Sequence, residues 1–452
     1  MEIAGKTVLI IGYARSGIAA AKTLRSLGAA KIILNDAKAA GQLENTEELN
    51  GEEYVWKLGM PADELVEGAD MIVISPSVPP SISALKLAAE KGIPVYTEIE
   101  LGYRLCQAQT VAITGTNGKT TTTTLTGQIF ADAQRGHYVV GNIGLPYSTH
   151  SVEAKPSDVM VTEISSYQLE CIIDFKAHVA ALLNITPDHL NRHGSMENYI
   201  AVKKRVFENQ TAEDYAVLNY DDETVRAMAD TLKSKVVFFS RKHKLSQGVW
   251  VENGHVVFKV GAVCAEICAC SEIYIKGGHN LENAMAAAAI GMLMGVSAQS
   301  IAYTLKTFRG VEHRIETVRT VKGVTFINDS KGTNPDSTVK AIQTMQQPTV
   351  LILGGYDKGG SFDELIAEYT DRIEHTIVLG ATKEKLEASL KKAGKPYTLI
   401  AGDFEEAVNA AFAAAKPGWN VLLSPACASF DMFKDFEERG RVFKQIVNAM
   451  QE

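Results

Sequence analysis

Short apolar runs alternate with helix-spaced stretches along almost the whole chain, and each run ends in a polar or glycine-containing turn. Near the start, Lys6–Ile11 predicts a strand, Gly12-Tyr-Ala-Arg-Ser-Gly17 a turn and Ile18–Leu27 a helix, with further strands at Lys31–Asp36, Met71–Ile74 and Ile93–Tyr96. A second series predicts strands at Val111–Thr114, Val159–Thr162, Val179–Asn184, Tyr215–Leu218 and Lys235–Phe239. Shorter strand-like pieces over Gly254–Ala269 and an alanine-rich buried helix over Leu281–Met294 complete it. The rhythm restarts at Thr325–Asp329, Thr349–Gly354, Thr376–Gly380 and Asn420–Ser424. Runs that are apolar throughout suit strands covered on both faces, and strands alternating with helices predict mostly parallel sheets. The expectation is an α/β protein of three α/β domains, at residues 1–97, 98–310 and 311–452.

Composition narrows the class. A chain of 452 residues exceeds one domain and fits roughly three. The formal charge of -8 argues against a general nucleic-acid partner, which would require a basic face. No run approaches the roughly 18 apolar residues of a membrane span, and the N-terminus lacks the basic-then-apolar layout of a signal peptide, so no membrane insertion is expected. Six cysteines are few for this length; Cys264, Cys268 and Cys270 read as buried strand thiols rather than a zinc site. A cytoplasmic monomer is the expectation.

The most informative motif is Gly115-Thr-Asn-Gly-Lys-Thr-Thr-Thr122, which follows a strand and precedes a helix. Glycines allow close approach of phosphate, and a helix N-terminus favours negative charge. Gly115, Thr116, Asn117, Gly118, Lys119, Thr120 and Thr121 therefore form a candidate triphosphate loop, with Lys119 as the point charge and Thr120 as a Mg²⁺ hydroxyl ligand. Ile113 stands where the usual spacing has a glycine, so the loop is shortened. The first and third domains read as Rossmann-like, and the central one as a P-loop mononucleotide-binding domain. Gly12, Gly17 and Asp36 have a dinucleotide layout, but Ala14 replaces the middle glycine. Glu163, at a strand end beside the loop, reads as a metal ligand or as a helix-capping acid. His189, after a strand-end Thr-Pro-Asp turn, is a candidate to face a ligand, whereas Lys203 or Lys204 alone would read as solvated surface. Ser195 is a candidate helix N-cap. Lys331 and Lys358 at adjacent strand ends suggest an anionic substrate, and Arg314 is an exposed charge or a group that reaches the triphosphate.

Taken together, these motifs resemble the Mur ligases, ATP-dependent amide-forming enzymes of peptidoglycan precursor synthesis, over essentially the whole chain. The marks are the phosphate loop, Glu163-x-Ser-Ser-Tyr-Gln-Leu-Glu170, Asn184-x-Thr-x-Asp-His-Leu-x-x-His193, Gly278-His-Asn-x-x-Asn283 and His313-Arg314. Asn328-Asp-Ser-Lys-Gly-Thr-Asn334, Gly354-Gly-Tyr-Asp-Lys358, Ser424-Pro-Ala-Cys-Ala-Ser-Phe-Asp431 and Phe436-Glu-Glu-Arg-Gly440 look like the D-glutamate-adding branch. The resemblance implies ATP and two Mg²⁺, with UDP-N-acetylmuramoyl-L-alanine and D-glutamate as substrates joined through an acyl phosphate. It implies that Thr120 and Glu163 ligate one metal, that His189 and a carbamylated Lys204 serve the second, and that Asn142 touches the acyl phosphate. Asn280, Arg314 and Asp329 match ATP contacts, while Thr333, Lys358, Ser429 and Phe436 match the D-glutamate pocket. Arg15, Ser16, Asp36 and the loop Ser75, Pro76, Ser77 match the UDP contacts, although Ser77 replaces the family's glycine.

Competing readings are a sister ligase for another amino acid or folylpolyglutamate synthetase, a NAD-dependent dehydrogenase, and a nucleotide-gated binding module without catalysis. The Asp-Asn-Pro-Arg signature of the diaminopimelate- and lysine-adding sisters is absent from the sequence.

Overall fold

The computed structural model describes residues 1–43, 48–356 and 361–451. Three α/β sheets follow one another along the chain. The first has five parallel strands in the order Tyr54–Leu58, Lys31–Asp36, Thr7–Ile11, Met71–Ile74 and Val95–Thr97. Its central strand is buried on both faces, which accounts for the unbroken apolar run in the sequence.

In the second sheet the strand Gln109–Thr114 lies between Val159–Glu163 and Val179–Leu182, all parallel. His137–Gly141 flanks one side; Tyr215–Asn219, Lys235–Ser240 and Gly248–Glu252 extend the other. The Gly254–Ala269 stretch is an antiparallel hairpin of His255–Val260 and Val263–Ala269 at the edge. From Gln109–Thr114 the chain passes to His137–Gly141 and back to Val159–Glu163 on one side, then crosses to Val179–Leu182 on the other, a reversal that opens a crevice beyond the strands' C-terminal ends. Register puts Glu163 beside Ile113 and Leu182 beside Thr114, so both neighbouring strands end level with the phosphate loop.

The third sheet runs Glu316–Val321, Val324–Asn328, Asn420–Leu423, Thr349–Gly354, Ile373–Leu379 and Tyr397–Leu399, with only the first strand antiparallel. Two compact units result: Met1–Ile273 with Leu281–Phe308, which holds the first two sheets, and Tyr274–Asn280 with Arg309–Glu452, which holds the third. Among the described residues no helix is long and apolar enough to cross a membrane.

Candidate active site

The candidate phosphate loop is fixed from several sides. Gly115 and Gly118 take φ values of +151° and +84°, where side chains are strained. A Cβ on Gly118 would lie 2.3 Å from Asn283 Oδ1. Asn184 grips the loop like a short piece of β-ladder: its Oδ1 accepts from Asn117 N (2.8 Å), and its Nδ2 donates to Asn117 O (3.0 Å). Thr116 is held through its hydroxyl by Thr186 N, Thr186 O and Tyr199 OH. The helix Lys119–Asp132 begins at the loop. Thr120 and Thr121 lie buried in its first turn, and the Thr121 hydroxyl has no hydrogen-bond partner among the described residues. Lys119 Nζ folds back to donate to Gly115 O (2.9 Å) and Thr116 O (2.7 Å).

Glu163 is 1% exposed. Its Oε1 accepts from Asn142 Nδ2 (2.7 Å), while its Oε2 is buried with no partner among the described residues. An unbonded, buried carboxylate oxygen is costly unless a cation or proton donor meets it. This donor set, one carboxylate plus hydroxyls, fits Mg²⁺, a hard cation that binds few protein oxygens and keeps water and phosphate for the rest. Among the described residues no group of three His, Cys, Asp or Glu side chains that could hold a metal occurs. His189 sits at φ +53°, in the left-handed region. Its Nδ1 pairs with Tyr167 OH (3.1 Å), which sets the ring's direction.

The structure corrects the lysine expected at the second metal. Lys204 turns away to line a cleft with Phe207, Leu232 and Lys233. Lys203 instead points at the loop: it is 2% exposed, and its Nζ donates to Gly115 O at 2.8 Å. Successive helix positions are about 100° apart, so only one of two adjacent lysines can face the loop. In the helix Met196–Lys204, capped by Ser195, that is the one four residues after buried Tyr199. Lys203 and Lys119 thus converge on the same carbonyl oxygen. Burial, and then the Lys119 charge, hold the Lys203 pKa well below its usual value.

Beside the first sheet, the Gly12 turn is built around Asp36, whose Oδ2 accepts from Tyr13 N (2.8 Å). Buried Ser75 donates through its hydroxyl to Gly12 O (2.9 Å), so it supports the turn, whereas Ser77 is exposed and Pro76 half-buried. Arg15 is exposed and bonds Gly144 O; it opens the helix Arg15–Ser26, with half-buried Ser16 next in its first turn. Arg192 was not anticipated from sequence: it forks onto Glu170 and reaches the carbonyls of Ser77 and Val78.

In the second unit, Asp329 is buried at a strand end, accepting from Ser424 Oγ (2.7 Å) and Ile315 N (3.2 Å). Burial pushes its carboxyl up to about 6, against the pull of Arg314. Arg314 is flanked by His313 and Ile315 at φ +63° and +46°, strained for both and most of all for a β-branched residue. Its Nε is buried without a partner among the described residues. Thr333 is half-buried, Ser429 is buried, and Phe436 carries Lys331 Nζ 5.0 Å from its ring centroid. Asn280 Nδ2 donates to Lys276 O. Lys358 lies outside the described residues. Arg439, absent from the expected site, is fully buried and joins the two loops that carry Thr333 and Ser429. Its guanidinium donates to Ser330 Oγ and to the carbonyls of Ser330, Cys427 and Ala428.

Two family models match this chain: "Mur ligase middle domain" over residues 113–291 and "Mur ligase, glutamate ligase domain" over 313–427. It is 48% identical to the UDP-N-acetylmuramoylalanine–D-glutamate ligase of Thermoanaerobacter pseudethanolicus, over 99% of each chain. It is 44% identical to the enzyme of that name from Clostridioides difficile, over 100% of each. The chain belongs to the Mur ligase family. The fold of this Mur ligase also matches that of the UDP-N-acetylmuramate–alanine ligase of Thermotoga maritima, with a TM-score of 0.63 at 16% identity over 99% of this chain and 100% of that one. The α/β character read from the apolar runs holds throughout this Mur ligase, with mostly parallel sheets in three domains.

Proposed function

We propose that this Mur ligase joins D-glutamate to UDP-N-acetylmuramoyl-L-alanine at the expense of ATP, in the cytoplasm and as a monomer, with domain limits near 97/98 and 310/311. The γ-phosphoryl of ATP passes to the L-alanine carboxylate, giving ADP and an acyl phosphate. The amine of D-glutamate then adds to the acyl carbon, and the tetrahedral adduct expels phosphate and loses a proton. Phosphoryl transfer depends mainly on positioning and on neutralising charge. Lys119 exchanges its loop carbonyls for the β- and γ-phosphates, and the Asn142 amide, poised on Glu163, donates to the acyl phosphate. Asn280, Arg314 and Asp329 serve ATP; Thr333, Lys358, Ser429 and Phe436 serve D-glutamate; Arg15, Ser16, Asp36 and the Ser75–Ser77 loop serve the uridine nucleotide.

Thr120, Glu163 and His189 would hold Mg²⁺, which supplies charge neutralisation for the transferring phosphoryl group. The carbamate is reassigned to Lys203. Its neutral amine, favoured by burial, can add to carbon dioxide and release a proton, replacing a second ammonium at Gly115 O by an anionic oxygen ligand. The observation that carries the whole reading is the phosphate loop with a Glu163 oxygen beside it that has no partner among the described residues, in a chain 48% identical over 99% of its length to a D-glutamate ligase. Phosphate release with UDP-N-acetylmuramoyl-L-alanine tests it. D-Glutamate should drive turnover and L-glutamate, lysine and diaminopimelate should not; release driven by one of the latter instead would support a sister ligase.

A further inference from the structure

Arg192 occupies a junction that the phosphate chemistry leaves unexplained. It lies three residues after His189, and only 16% of its side chain is exposed. Its Nη2 and Nε donate to the two Glu170 oxygens at 2.7 and 3.2 Å, a forked carboxylate pair. The same guanidinium reaches across to the first sheet's strand-end loop, with Nη2 3.1 Å from Val78 O and Nη1 3.5 Å from Ser77 O. Its carbon also lies 5.0 Å from the Tyr167 ring centroid, and Tyr167 OH is the group that pairs with His189 Nδ1. One planar cation therefore touches the loop assigned to the uridine nucleotide, an anchoring carboxylate and the ring that orients His189.

We propose that Arg192 is a positioning residue that fixes the Ser77–Val78 loop for the uridine nucleotide and links that loop to the orientation of His189; this rests on the reading of the loop given above. A lysine cannot replace it. An ammonium is a point charge without a fork, so it cannot hold both Glu170 oxygens and two carbonyls in one plane.

The test uses the full-length protein and calorimetric titration with UDP and with ADP, followed by steady-state kinetics. Arg192→Lys and Arg192→Gln should weaken UDP binding about tenfold and leave ADP within twofold. The KM for the UDP substrate should rise more than kcat falls. Tyr167→Phe removes the hydrogen bond to His189 but not the loop contact, so it should lower kcat and leave UDP affinity unchanged. Glu170→Gln, which loosens the fork's anchor, should repeat the Arg192→Lys pattern at smaller amplitude. Variants that keep wild-type melting temperature and bind UDP as the wild type does would overturn the assignment, as would equal weakening of UDP and ADP, the mark of a merely structural role. A wild-type protein that fails to bind UDP would instead overturn the reading of the loop itself.

Discussion

Replacing Arg439 by alanine removes a guanidinium that serves four acceptors at once: the carbonyls of Ser330, Cys427 and Ala428 and the Ser330 hydroxyl. The side chain is fully buried, so the acceptors cannot all be handed to bulk water. Hydrogen bonds from a charged donor contribute about 1.5–3 kcal/mol each, but the guanidinium's own desolvation offsets part of that sum. That desolvation is visible in an Arg439 pKa lowered to about 10. The expected loss is about 4 kcal/mol for Arg439→Ala. It is about 2 kcal/mol for Arg439→Lys, whose three donors leave at least one acceptor unmet. Calorimetry should record the loss in the transition of the second compact unit, with that of the first unchanged. Because Arg439 joins the Thr333 and Ser429 loops, the D-glutamate KM should rise in Arg439→Lys while the KM for the UDP substrate holds. A loss below about 1 kcal/mol in Arg439→Ala would refute the view that this guanidinium fastens the two loops.

Lys119→Ala should lower turnover by more than about a hundredfold without unfolding, read as phosphate release alongside circular dichroism; activity within a few-fold of wild type would remove the lysine from phosphoryl transfer. Lys203→Ala should lose activity to a similar degree and regain part of it with added acetate, which supplies the missing carboxylate-like ligand, whereas Lys204→Ala should stay within about twofold. Those outcomes reversed would restore Lys204. Glu98, buried against Ser148 N, has its carboxyl raised to about 7 by burial, so the folded state holds a proton between about pH 4.5 and 7 that the unfolded chain releases. Its contribution is fully present below about pH 4.5 and is lost as pH rises through 7. Glu98→Gln should flatten that part of the stability curve in urea melts, and an unchanged slope would count against the buried proton.

How far the sequence was legible follows from where each residue's neighbours lie. That the Gly115–Thr122 turn and Glu163 lie side by side was readable because each sits at the end of an apolar strand, and parallel strands end together. The strands Tyr54–Leu58 and Glu316–Val321 escaped notice because they are edge strands with polar interruptions, and Gly248–Glu252 because glycine and glutamate bracket only three apolar residues. Lys203 and Lys204 could be told apart only by helix phase, and Tyr199 one turn earlier carried that signal: its ring lies 4.9 Å from Lys203 Nζ. Arg192 and Arg439 gave no local sign, since their partners are contributed by loops 11 to more than 100 residues away.

Lys119 makes the candidate phosphate loop its own stopper. The ammonium already has two carbonyl acceptors from the turn it guards, so an incoming anion must outcompete them rather than fill an empty charge. A lone phosphate offers little beyond what it displaces. A triphosphate brings several oxygens along the loop and can repay the exchange, so this Mur ligase should ignore the inorganic phosphate it releases and resist clogging by its own product.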